Sequence, residues 1–175
     1  EGIQLGLQQV QLALVQAQRQ HALPQLLHEH QIGFVNRAIE ATYRTRTHLA
    51  DDHGKLSAAH ATELDAQARA LTRYLLFADE APLPSDGIAG EEEFKRDFTS
   101  VRRLGPNGAS LKDFDLRTRL FRHRCSYMIY SLAFQGLPPE MKQQQLNRKR
   151  KINIADRFFH SGLRNKDKEE KKFVV

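Results

Sequence analysis

Four arginines and a histidine, Arg117, Arg119, Arg122, Arg124 and His123, crowd into the stretch SLKDFDLRTRLFRHRCSYMIYS at residues 110–131. Planar guanidinium groups grip carboxylate or phosphate oxygens two at a time, so this density marks a candidate anion site for phosphate, carboxylate or a nucleic-acid backbone. The competing reading is ion pairing with Asp113, Asp115 or the acidic first half of the chain. Tyr127 and Tyr130 could add hydroxyl hydrogen bonds beside the arginines, although tyrosines at helix edges usually just pack. The chain's one cysteine, Cys125, falls in an apolar stripe with Phe121, Met128, Ile129 and Leu132 at helical spacing. A thiol in such surroundings has a raised pKa and is a poor nucleophile, so structural roles are expected for Phe121, Cys125 and Met128.

Eight histidines raise the question of a metal, since imidazole is the commonest metal-binding side chain. A site could assemble from His30 and His48 on one helix with His60 or His123 from elsewhere. The alternative is that all four are satisfied core or surface histidines. Pairs seven residues apart, His21 with His28 or His53 with His60, are too distant along a helix to chelate one ion unaided. The chain contains no CxxCH haem attachment, HExxH zincin motif, GxxxxGK[ST] phosphate loop or GxSxG nucleophile elbow. Paired carboxylates at Asp79-Glu80 or at Asp113 and Asp115 fit caps and turns better than acid–base work. No catalytic residue is nominated, and nothing calls for a cofactor.

The elements that must position these groups read as helices. Ile3, Leu7, Val10 and Leu14 give a first helix over residues 3–20, rich in glutamine and nearly uncharged; its composition also fits a low-complexity segment. A second, long helix runs from Pro24 to about Ala50 on a seam of Leu27, Phe34, Ala41 and His48, reinforced by His30 and Ala38. Asp51-Asp52-His53-Gly54 supplies a turn, and Ser57 caps a third helix carrying Ala61, Leu64, Ala68, Leu71 and Leu75. Residues 79–90, with two prolines and two glycines, read as a surface loop. A short helix near Glu91–Val101 would bury Phe94 and Phe98. Ser110 and Asp113 have the spacing of a reciprocal helix cap, so a helix is expected from Ser110 to Phe134. No segment alternates with period two. The expected fold is therefore all-α: an antiparallel helical bundle with a long helical hairpin and shorter C-terminal helices.

The 175 residues fit one helical domain over residues 1–147, followed by a basic, poorly ordered or divergent tail at 148–175. No apolar run approaches the roughly 18 residues needed to span a bilayer. A lone cysteine excludes an internal disulfide framework. The net charge of +6 is unevenly placed: residues 1–94 hold 7 Lys+Arg against 13 Asp+Glu, and residues 95–175 hold 20 against 8. Such a basic half meets either nucleic acid and other polyanions, or an acidic face of its own domain or a neighbouring subunit. The chain opens on Glu1 without a visible leader, which reads as a mature product or a fragment.

The 110–131 stretch, followed by AF and LPPEMK, resembles the C-terminal region of large uncharacterised bacterial proteins of planctomycetes and some proteobacteria. Their pattern is approximately SLRDFDLKTRLFRYPCSYLIYSxAFDALPxxVK. TRYLLFADEAPLP at 72–84, with the IAG and F that follow, is similar to the same family's upstream stretch, so the resemblance covers roughly residues 20–147. It implies a helical region near the end of a longer, exported or periplasmic polypeptide, and it implies no activity. This chain departs from the pattern at His123 and Arg124, where the family has tyrosine and proline. It departs again beyond Asn147, where RKRK begins a tail unlike the family's. The functional expectation is a non-catalytic structural or interaction module whose partners are other domains of a longer parent chain or a second copy. Two alternatives stand beside it: an accessory domain of a haem- or metal-dependent redox protein, and a nucleic-acid or polyanion binder using the basic second half.

Overall fold

A computed structural model describes residues 2–143, with side chains from residue 22 onward. The tail at 148–175 and the apolar residues expected in the first helix lie outside what is described. The fold is helical, with no strand among the described residues and one isolated antiparallel bridge between Phe114 and Phe121. Its elements are α1 (Gly2–Asp51), α2 (Ala58–Leu75), α3 (Glu92–Ser100) and α4 (Leu132–Gln135), with a 3-10 turn at Tyr127–Tyr130 just before α4.

The two helices expected before residue 50 are one. Pro24 lies inside α1 without ending it, because its fixed φ is itself helical and the cost is one ladder bond and local crowding. Leu23 and Leu27 on either side are fully buried, and that packing offsets the loss. The inward stripe of α1 continues through His30, Phe34, Ala38, Ala41 and Thr45, spaced by three and four. Thr45, polar but buried, is satisfied by donating to the Ala41 carbonyl at 2.6 Å. From α2 come Leu64, Ala68, Leu71 and Leu75, again at helical spacing. Ser57 caps α2 by accepting the His60 N–H.

The expected helix over Ser110–Phe134 is not formed. Ser110 Oγ does accept the Lys112 N–H, and Asp113 Oδ2 accepts the Ser110 N–H at 2.8 Å. These cap-like bonds close a turn and no helix follows. The reason lies five residues on. Asp115 folds its carboxylate over its own turn, accepting the Arg117 and Thr118 N–H groups and the Thr118 hydroxyl. Leu116 takes a left-handed φ of 62°, and the chain doubles back so that Leu116 N–H donates to Arg119 O. The result is a tight β-turn-like hairpin at 113–122. Phe121, Cys125, Met128 and Ile129 are buried, but by the packing of turns rather than along one helix face. Leu132, the last of the expected stripe, faces outward at 84% exposure.

The 79–90 loop braces that hairpin. Ile88 N–H donates to Leu116 O, and Leu120 N–H donates to Glu80 Oε1. Gly87 sits at φ +73°, where a Cβ would overlap the Leu116 carbonyl oxygen. Gly87→Ala should therefore cost roughly 2–4 kcal/mol, from positive-φ strain plus a backbone clash. Gly108→Ala, at φ +75° with open space around it, should cost only roughly 1 kcal/mol. Urea titration of both variants checks the difference; equal losses would mean that the loop does not bear on the hairpin.

Candidate functional site

The polar centre of the molecule is His30. It projects from the middle of the α1 stripe into a ring of aromatics, 5.3 Å from Tyr74 in a stacked arrangement and 4.9 Å from Phe77. Phe121 and Tyr127 approach its other side. His30 Nε2 shares a 2.7 Å hydrogen bond with Ser126 Oγ, deep in the core. The Ser126 hydroxyl also accepts the Met128 N–H, which starts the 3-10 turn, while Ser126 N–H donates to the Leu75 carbonyl at the end of α2. Tyr74 donates its hydroxyl to the His30 carbonyl, and Gln31 donates to the Tyr127 hydroxyl.

Burial sets the protonation states here. It pushes His30 down to about 4, so the ring is neutral at pH 7, and pushes Tyr127 up to about 12. A serine hydroxyl against a neutral imidazole is the contact used to activate a nucleophile. Here Ser126 is fully buried at 0% exposure and its oxygen is committed to a backbone N–H. The pair holds segments together, and no substrate atom has access to it. The helical period places His30 on the inner seam of its helix, but Ser126 carries no such signal, because a contact across 96 residues leaves no local spacing.

The four histidines do not assemble into one site. His30 belongs to the core centre. His123 lies beside Asp113, 4.0 Å from its carboxylate, with Arg102 3.6 Å from the same group. His48 and His60 do meet: their rings stack with centroids 4.1 Å apart where α1 ends and α2 begins. Eighteen residues of helix separate His30 from His48, roughly 27 Å at the α-helical rise, which is why no ion could be shared between them.

The arginines ride on the 113–122 hairpin and just after it. Arg117, Arg122 and Arg124 are exposed and Arg119 is half-buried. None has a carboxylate oxygen within 4.0 Å among the described residues, although the Asp115 carboxyl is held low chiefly by the Thr118 and Arg117 N–H groups and, least, by the Arg119 charge. Asp115 is occupied by its own turn, and Asp113 is shared by Arg102, His123 and the Ser110 N–H. The nearby carboxylates of Asp79 and Glu80 are taken by Arg73 and the Leu120 N–H. Lys112 adds a further cation over the Phe98 ring, 4.4 Å from its centre, and donates to the Phe98 carbonyl.

Comparisons with models of known protein families, with curated proteins and with solved structures gave no match.

A neutral His30 in the folded chain must be protonated in the unfolded chain below its ordinary value near 6.5. Its folded pKa is lowered, so the stability it contributes is complete above about pH 6.5 and is lost as pH falls toward 4. Between pH 7 and pH 5 the loss is about 2 kcal/mol. His30→Phe should remove that part of the slope in urea titrations at the two pH values. A slope unchanged by the substitution would contradict a buried neutral imidazole.

Proposed function

We propose that this chain is a non-catalytic interaction module, docking through an apolar groove between α1 and α4. The observation that carries this reading is a second stripe on α1, separate from the one that builds the core. Ile32, Ile39 and Tyr43 follow the helical period yet are exposed, Ile39 by 62% and Tyr43 by 74%. The groove beside them, with room for about 300 Å³, is lined by Ala38, Ile39, Tyr43 and Arg46 of α1 with Ala133 and Gly136 at α4. Leu132, next to Ala133 in sequence, is exposed as well. Contiguous exposed apolar surface of this kind, rimmed by polar groups, is characteristic of surfaces that bind other proteins.

The same reading takes α1 and α2 as an antiparallel helical hairpin, supported by the pairing of His48 with His60 at one end and His30 with Tyr74 further along. At 50 residues α1 is about 75 Å long, nearly three times the length of the 18-residue α2. Much of it therefore extends past its neighbour, as suits a helix that also serves another unit. The motif resemblance fits this: the partner is a neighbouring domain of a longer bacterial parent chain, or a second copy. Tyr43→Asp combined with Leu132→Asp should weaken association at least about 10-fold in sedimentation experiments, with helicity unchanged, since buried aromatic anchors dominate such interfaces. Measurements should cover the chain alone and with its upstream parent region. Equal association of the variant in both settings would refute the docking face.

One further reading has its own support. Arginines on an exposed hairpin, without carboxylate partners among the described residues, form an anion-binding edge, the polyanion alternative. Replacing Arg117, Arg122 and Arg124 by glutamine should lower the salt concentration that elutes the protein from heparin and flatten its salt dependence by up to about three ionic contacts. Elution at the same salt would remove this reading.

A further inference from the structure

We propose that His48, Asp51 and His60 form a binding site for a divalent metal of the zinc type, clipping the end of α1 to the start of α2. One potential ligand atom from each of the three lies within 4.8 Å of the others. His48 and Asp51 are three apart on the last turn of α1, hence on one face, and His60 sits in the first turn of α2. The inference is independent of the docking groove.

Each imidazole has a carboxylate behind one nitrogen, the partner that metal-binding histidines commonly have. His60 Nδ1 is 2.8 Å from Asp52 Oδ2, and that oxygen is itself fixed by the Ser57 N–H at 2.6 Å. His48 Nε2 faces Glu63 Oε2 at 3.3 Å. The nitrogens left over are His60 Nε2 and His48 Nδ1, and the latter is buried with no hydrogen-bond partner among the described residues. A buried polar atom without a partner is destabilising. A metal ion would satisfy it.

Donor chemistry narrows the ion. Two imidazole nitrogens and one carboxylate oxygen suit zinc, cobalt, nickel or copper, whereas calcium and magnesium favour all-oxygen shells. Three protein ligands leave a fourth position for water or an external group. In a tetrahedral site with metal–nitrogen bonds of about 2.0–2.1 Å the donors stand about 3.3 Å apart. Side-chain rotation can close that gap, because Asp51 is exposed and free to swing inward. The stacked rings must turn so that their in-plane lone pairs converge. No oxidation or reduction is involved.

The test is calorimetric titration of the metal-free full chain with zinc chloride at pH 7.5, repeated with cobalt to read the absorption bands of a tetrahedral site. The expected result is one ion per chain and a rise in Tm on loading. His48→Gln and His60→Gln should each weaken binding at least about 100-fold, and Asp52→Asn, behind His60, about 10–100-fold. His28→Gln, an exposed histidine elsewhere on α1, should bind like the parent. Circular dichroism checks that each variant folds; if a histidine variant does not, the exposed Asp51→Asn decides, with an expected loss of at least about 10-fold. Binding well below one ion per chain, or equal binding by the folded ligand variants, overturns the site. So does an equal loss in His28→Gln, which would assign the zinc to surface histidines in general.

Discussion

Residues 101–126 form no helix, so their backbone groups are satisfied by turns within the segment and by partners elsewhere in the chain. The segment is tied to the helices at one place above all, the buried side-chain bond between His30 and Ser126. Around it Ser126 N–H reaches the last turn of α2, and the ring of His30 is clasped by aromatics from α2, the loop that follows it and the hairpin. Phe121 extends the clasp to Phe114 and Tyr127, and Phe98 joins it from α3. One imidazole thus connects nearly every element. If it were charged, it would carry an unpaired ion into a hydrocarbon core, so its neutrality is a condition of the fold.

That centre also decides where function can reside. A histidine, a serine and two tyrosines within a few ångströms of one another would be an active-site inventory if they lined a cleft. They fill the core instead, each tied to a backbone or side-chain partner. The features left open to partners are peripheral: an apolar groove on the outer side of α1, a hairpin whose arginines have no described carboxylate partner, and a histidine pair at the end of the helices. These outer surfaces are where the proposed interaction role places its partners.

Much of the helical part was legible in the sequence because the 3.6-residue period survives wherever one face is buried. The stripes from Leu27 to Ala41 and from Leu64 to Leu75 follow from it, whereas Phe94 and Phe98 of α3, expected to be buried, pair against the core only half-buried. The 110–131 stretch misled for a physical reason. Turns packing onto an aromatic cluster also bury residues at intervals of three and four, and Ser110 with Asp113 makes cap-like bonds whether or not a helix follows. What distinguished the two was the side chain of Asp115 competing for its own backbone, together with Leu116 in the left-handed region. The pairing of His48 with His60 was half legible: the turn between them could be read, but the stacking of their rings and the roles of Asp52 and Glu63 depend on how the helices pack.

The central claim, that the His30–Ser126 contact locks the non-helical segment to the helices, is tested most directly by native-state amide hydrogen exchange at Ser126. Its N–H is bonded to the Leu75 carbonyl and buried in the same core as α2. The account predicts that it exchanges only when the α2 core amides at Ala68 and Leu71 do, with the same opening free energy. Exchange at Ser126 more than about 100-fold faster than at those α2 amides would show that the segment opens on its own, and would contradict the account.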